Sequence, residues 1–339
     1  MTAALRRRVR PGAAPATSPG AATDPGPAAP PPGGGGASPL AHTDAVTLPT
    51  PSPPGARLRA ALDEEQPLQV VGTVNAYSAL LAQRAGFRAA YLSGAGVANA
   101  SCGLPDLGFT TLDDVVTDTR RVAAATSLPL LVDADTGWDD PAEAVRRLAG
   151  AGAAGVHVED QVDAKRCGHR PGKRLVAAGE MVERVRAACA GRPDPSFVVM
   201  ARTDAAAVEG LPAAVARALR YVAAGADMIF AEALTSEGDF AEFARAVPVP
   251  VLANMTEFGV SPLLTAQRLG ELGIRVVLYP LSAFRAMSRA AAGVYAAIRR
   301  DGTQLAVLGT MQTRAELYEV VDYEAAERRV DERLEEEGT

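Results

Sequence analysis

Between residues 68 and 300 the chain alternates short apolar runs with segments of helical pattern, and it does so eight times. The runs are 68–74, 89–93, 128–135, 155–159, 197–202, 228–232, 249–254 and 274–280. Helical segments fall between them, at 112–125, 141–149, 212–224 and 262–272 among others. Gly86, Gly150 and Gly225 stand where such segments stop, and Pro141 opens one at a first-turn position. Short, continuously apolar strands separated by helices belong to a parallel sheet covered on both faces. Eight such units predict an α/β fold of the (β/α)8 barrel type. The other arrangement, an open doubly wound sheet, fits less well, because no GxGxxG turn follows the first run. Residues 303–337 predict an extra C-terminal helical segment. Its end, 324–337, is charged enough to read as a solvated or subunit-bridging helix.

Composition divides the chain before it characterises it. Residues 1–55 hold 13 of the 25 prolines and 8 of the 32 glycines, with only six charged residues. Too few large apolar groups are present there to offset the entropy of ordering, so residues 1–56 are expected to be a disordered extension. Residues 57–339 are expected to form the barrel domain. The start, MTAALRRRVR, is basic, but no apolar core of a secretory signal follows it, and prolines break any amphipathic presequence helix. Beyond the extension 30 basic residues face 38 acidic ones, which excludes the basic footprint of a nucleic-acid binder. No apolar run approaches a membrane span. Cys102, Cys167 and Cys189 show no CxxC spacing, which suits a reducing cytoplasm. His42, His157 and His169 form no zinc motif.

Barrel enzymes carry their chemistry where strands end. Here those ends are polar in succession: Ser93-Gly94, then Asp133 with Asp135, then Glu159, Arg202, Glu232 and Asn254. One polar residue at a strand end is ordinarily a turn former or a helix cap. Six in a row point to a site. Asp133 and Asp135 alternate along one strand and should face the same way, with Glu159 on the next. Three converging carboxylates repel one another unless protons or a cation intervene. Hard oxygen ligands favour Mg²⁺, with Mn²⁺ also acceptable, over Zn²⁺. The loop after Glu159 then reads Lys165-Arg166-Cys167-Gly168-His169-Arg170. Flanking cations favour a thiolate, so Cys167 reads as a poised proton donor or nucleophile.

These stretches carry a resemblance. YLSGAGVANASCGLPDLGFTTLDDV from Tyr91, LLVDADTGW from Leu130, GVHVEDQVDAKRCGHRPGK from Gly155, VMARTDA from Val199, VLANMTEFG from Val251, LYPLSAFRAM from Leu278 and MQTRAELYE from Met311 resemble the isocitrate lyase and phosphoenolpyruvate mutase superfamily. Within it they look like the methylisocitrate-cleaving lyases, over about residues 58–325. The resemblance implies that Asp135 binds Mg²⁺ directly, with Asp133 and Glu159 acting partly through water. It implies that Ser93, Gly94 and Ala95 cradle a substrate carboxylate, although some relatives carry glycine where Ala95 stands. Cys167 would be the acid and base at carbon, with Gly168 and His169 holding a mobile loop around a carboxylate. Arg202, Glu232, Asn254, Thr256, Arg285 and Arg314 would position substrate, and Tyr91, Asp106 and Lys165 match further active-site positions. Either Tyr91 or Glu232 would take the substrate hydroxyl proton.

The resemblance also implies a retro-aldol lyase acting on a small tricarboxylate. It further implies a cytoplasmic homotetramer in which a C-terminal helix crosses to a neighbouring subunit. The cysteine of KRCGH argues for the lyases over phosphonomutases and oxaloacetate decarboxylases, the alternative enzymes. A non-catalytic dicarboxylate-binding barrel is the alternative of another class, and the full set of site positions argues against it. The short catalytic length argues against isocitrate lyases, which carry large barrel insertions. Phe230, Leu278 and Pro280 are expected to form an apolar wall able to accept an extra methyl.

Overall fold

A computed structural model describes residues 52–337. The expected disordered extension lies outside the described residues up to position 51. Its last positions do not belong to it, because helix α1, Pro54–Glu64, begins inside it. Proline tolerates a first helical position, and here it opens the helix.

Eight parallel strands close into a barrel: β1 Leu68–Gly72, β2 Ala89–Leu92, β3 Leu130–Asp133, β4 Gly155–Glu159, β5 Val198–Thr203, β6 Met228–Ala231, β7 Val251–Asn254 and β8 Val276–Tyr279. β8 returns to pair with β1, Leu68 opposite Val276, so no edge is left open. The order matches the expected one strand for strand. Most strands are shorter than their apolar runs, because the runs extend past the ladder at one end or both.

Helices cover the outside: α2 Ala76–Arg84, α4 Leu112–Ala125, α5 Pro141–Gly150, α6 Ala178–Ala190, α8 Leu211–Ala223, α9 Glu237–Ala246, α10 Ala266–Glu271 and α11 Ser282–Asp301. A short α3, Gly94–Gly96, runs into a π-helical turn, Val97–Ser101, and α7 spans Ala206–Glu209. The caps are written locally. Asn75, Thr111 and Ser236 close capping boxes, and Asp140 and Thr265 accept the first free N–H groups. Thr265 corrects the expected start at residue 262, since residues 261–265 stay non-helical ahead of that cap. Beyond the barrel lie a 3₁₀ turn, Leu305–Thr310, then α12, Arg314–Val321, and α13, Tyr323–Glu337. α13 buries none of its residues, as its charge predicted. No described helix is long and apolar enough to cross a membrane.

The barrel interior explains the site. One apolar cluster joins Leu68, Val70, Tyr91, Leu131, Val198, Met200, Met228, Phe230, Leu252, Val276 and Leu278 with Leu58, Ala61 and Leu62 of α1. α1 therefore packs into the same interior as the strands. Alternate residues of a strand share a face. The inward row that runs Val198–Met200 continues to Arg202, the row Met228–Phe230 continues to Glu232, and the row from Leu252 continues to Asn254. The dry interior becomes polar one step further along each strand.

Candidate active site

At that step one pocket brings together most of the expected residues. Tyr91, Ser93, Ala95, Asp106, Asp133 and Glu159 line one side. Lys165, Cys167, Gly168 and His169 reach it from the loop after β4. Arg202, Glu232, Asn254, Thr256 and Arg285 complete it. Phe230, Leu278 and Pro280 line it too, so the expected apolar wall faces the pocket.

Arg202 is the hub. Its guanidinium lies 3.2 Å from Glu159 Oε2, donates to Asp204 at 3.0 and 3.2 Å, and sits over the Phe230 ring at 5.1 Å. Burial works against its charge, but Asp204, Glu159 and Glu232 more than offset that and hold it ionised. Glu232 would be raised by burial; Arg202 and then His169 bring it down to about 2. His169 Nδ1 accepts from the Val260 backbone N–H at 3.1 Å, which leaves the proton on Nε2, 2.8 Å from Glu232 Oε1. Asn254 Nδ2 donates to Glu232 Oε2 at 3.3 Å.

The aspartates are arranged differently from the expected pair on one strand. β3 ends at Asp133, and Asp135 lies past it in the left-handed region at φ 47°. The carboxylates still converge. A Cβ on Gly94 would stand 3.0 Å from Asp133 Oδ2 and 3.0 Å from Asp135 Oδ1. Gly94 N–H donates to Asp133 Oδ2 at 2.9 Å, and Asp135 N–H donates to Asp133 Oδ1 at 3.1 Å. Burial raises Asp133, but His157, Lys165, Arg202 and the Gly94 N–H together hold it well below the usual carboxylate range. Burial pushes Asp135 up to about 6 against the pull of Lys165, with the Asp133 charge adding to the rise. Burial also drives Glu159 well up, and neither of its oxygens has a hydrogen-bond partner.

Among the described residues no three His, Cys, Asp or Glu side chains converge as a finished cation cage. Of the expected ligands, Asp133 and Asp135 converge beside Gly94, and Glu159 lies 3.2 Å from the Arg202 guanidinium. The donor set nevertheless fits a small hard cation. Two carboxylate oxygens point into the space a Gly94 side chain would fill, and the Glu159 oxygens lack donors.

Three further expectations change. Lys165 does not flank the thiol; its ammonium donates to Asp135 and pairs with Asp106 at 2.8 Å. His169 is likewise committed to Glu232, and Cys167 stands exposed in the loop. Arg314 is exposed on α12 and does not reach the pocket. Its helix packs on α2, where Tyr77 donates to Gln312 Oε1 at 2.5 Å.

The sequence assigned no role to three buried residues. His157 lies on β4 with the same inward parity as Glu159, which was the available signal. Asp204 follows Arg202 by two positions, the same parity again. Lys173 closes the glycine-containing loop, and nothing in its neighbours marked it.

A closed (β/α)8 barrel with an acid-rich mouth, roofed by a Cys- and His-bearing loop, defines a class of barrel enzymes. A profile of the phosphoenolpyruvate phosphomutase family matches residues 58–299. The chain is 58% identical over 282 residues to a 2-methylisocitrate lyase of Escherichia coli K12, covering 82% of this chain and 95% of that one. Among solved structures it is similar to a 2,3-dimethylmalate lyase of the PEP mutase/isocitrate lyase superfamily, with 33% identity, TM-score 0.77 and coverage of 83% and 95%. It is also similar to a phosphonopyruvate hydrolase in complex with oxalate and Mg²⁺, with 30% identity, TM-score 0.73 and coverage of 83% and 99%. The chain belongs to the phosphoenolpyruvate mutase/isocitrate lyase superfamily, alongside its 2-methylisocitrate lyases.

Proposed function

We propose that the protein is a carbon–carbon lyase that cleaves 2-methylisocitrate to pyruvate and succinate. The observation that carries this reading is the meeting of the Cys167–Gly168–His169 loop with Arg202, Glu232 and the Phe230–Leu278–Pro280 wall at one barrel mouth. The level of identity to a 2-methylisocitrate lyase over nearly its whole length supports the same substrate.

The reaction is a retro-aldol cleavage. The substrate hydroxyl loses its proton, the C2–C3 bond breaks, and the electron pair is left on the succinate carbon as an aci-carboxylate. Glu232, held as a carboxylate, faces the pocket with an oxygen able to take the hydroxyl proton; Tyr91, whose burial keeps it protonated, takes it only by passing its own proton to Asp133. Arg202 offsets charge on the aci-carboxylate. Cys167 delivers a proton to carbon and completes succinate. Ser93, Gly94 and Ala95 hold a substrate carboxylate, Asn254, Thr256 and Arg285 position the rest, and the loop excludes water. Asp135 would hold Mg²⁺ or Mn²⁺ directly, with Asp133 and Glu159 acting through water. When bound, the cation supplies positive charge where the alkoxide and keto-acid oxygens become negative. The apolar wall accepts the extra methyl, a contact worth about 1–3 kcal/mol.

The same reading places the enzyme in propionate breakdown through the 2-methylcitrate cycle. It also places it in the cytoplasm, as a homotetramer with a C-terminal helix exchanged between subunits. The test is a lyase assay on 2-methylisocitrate and isocitrate, with divalent metal removed and restored. Metal-dependent cleavage of 2-methylisocitrate is expected; efficient turnover of isocitrate alone would sink the reading.

A further inference from the structure

Lys173 has no part in the scheme above, yet its side chain is only 3% exposed. A buried ammonium is costly unless it is paired and hydrogen-bonded. Lys173 meets both conditions. It donates to the carbonyl of Gly168, and its Nζ lies 3.4 Å from Asp204 Oδ1.

Both partners belong to the chemistry. Asp204 is the carboxylate that takes the Arg202 guanidinium at 3.0 and 3.2 Å. Its own backbone is anchored, since its N–H donates to Asp160 Oδ1 at 2.9 Å. Asp160 is fixed in turn by Thr203 Oγ1 at 2.8 Å and the Tyr221 hydroxyl at 2.9 Å. Gly168 follows Cys167 and lies against the same guanidinium. A Cβ there would stand 2.5 Å from Arg202 Nη2 and 2.4 Å from Glu232 Cγ. One carboxylate is thus shared by two cations, one facing substrate and one gripping the residue beside the thiol.

We infer that Lys173 is a positioning residue, a latch that fixes Gly168, and with it the Cys167 thiol, over Arg202 through their common counter-ion Asp204. The inference rests on the proposed role of Cys167 as proton donor at carbon. Lys173 touches no reacting atom. Its ammonium sets where the loop stops when it comes down on the mouth, and it ties that position to the orientation of Arg202. Without the ammonium the Gly168 carbonyl loses its donor, and Asp204 answers to Arg202 alone.

Two variants test this in the full-length protein, with melting temperatures checking that each is folded. Lys173→Met keeps the length of the side chain and removes the charge. Its kcat should fall on the order of 100-fold, the cost of misplacing a reacting group by about 1 Å, with a smaller change in KM. Trypsin should also cut faster after the exposed Arg166, read by mass; the substitution removes the competing site at residue 173. Lys173→Ala supplies the second arm: added ethylamine should restore part of its turnover and slow the cut after Arg166. Wild-type kcat in Lys173→Met overturns the latch. Unchanged cleavage after Arg166, or failure of the amine to restore either property, also overturns it. The proteolysis requires no turnover, so absence of lyase activity in the unaltered protein would sink the proposed function and leave the latch to be judged on cleavage alone.

Discussion

The Tyr91 hydroxyl lies 2.8 Å from His157 Nε2 and 3.3 Å from Asp133 Oδ2, and the two rings stack with their planes 13° apart. Burial, reinforced by Arg202 and Lys165 and opposed by Asp133, brings His157 down to about 4, so the ring is neutral near pH 7. Its Nδ1 is buried without a hydrogen-bond partner. A bare buried acceptor is more tolerable than a bare N–H, which assigns the proton to Nε2. The chain of donation then runs from His157 to Tyr91 and from Tyr91 to Asp133.

Tyr91→Phe keeps the stacked ring and removes the link in that chain. Its kcat should fall about 100-fold, the scale of one lost donor in a dry site, with KM changed much less. Steady-state kinetics beside an unchanged melting temperature checks this; an unaltered kcat would remove Tyr91 from the chemistry.

Cys167→Ser should lose lyase activity by about 100- to 10,000-fold, the range for a positioned acid at carbon. The thiol is exposed, so the fold should not change. Full activity in the serine variant would assign the proton to another group. Alkylation of the native enzyme at this cysteine should abolish turnover to the same extent.

Gly94→Ala puts a methyl group 3.0 Å from an oxygen of both Asp133 and Asp135. The pair must spread, and both Mg²⁺ affinity and activity should drop together. Chelation of the unaltered enzyme should abolish cleavage reversibly, with Mg²⁺ restoring it. Titration calorimetry of Mg²⁺ into the variant gives the direct reading, and wild-type affinity there would place the cation elsewhere.

Thr111→Ala opens the capping box of α4 and should cost about 1 kcal/mol of stability near neutral pH. The Thr111 side chain, and then its backbone N–H, hold Asp114 below the usual aspartate range. A carboxylate lowered on folding adds stability above its unfolded value, and that stability is lost as pH falls through the folded one. The gap in melting temperature between wild type and variant should therefore narrow on acidification from about pH 5 to about pH 3. A gap that stays constant would deny the link between Thr111 and Asp114.

The barrel was legible because most of the apolar runs are strands buried on both faces, with no need of long-range information. Arg202, Glu232 and Asn254 were legible for a related reason: period-two parity carries an inward row past the strand's last apolar residue. α1 was missed because its apolar side is narrow, Leu58, Ala61 and Leu62, and finds meaning only beneath a closed barrel. The partners of Lys165 were misread because adjacency in sequence suggested Cys167. The long side chain instead reaches Asp135, thirty positions away. Arg314 was placed by resemblance alone, and no spacing rule could locate a residue on a helix outside the barrel.

Asp135 holds a left-handed backbone at φ 47°, where glycine or asparagine would rest more easily. Such a conformation costs on the order of 1–3 kcal/mol and persists only under compensation from its surroundings. Heat tolerance and activity are therefore opposed at this one position. A library of variants selected for survival at high temperature alone should drift here toward Asn or Gly and gather inactive, sturdier proteins. A library selected for turnover should keep the aspartate and gain its stability elsewhere.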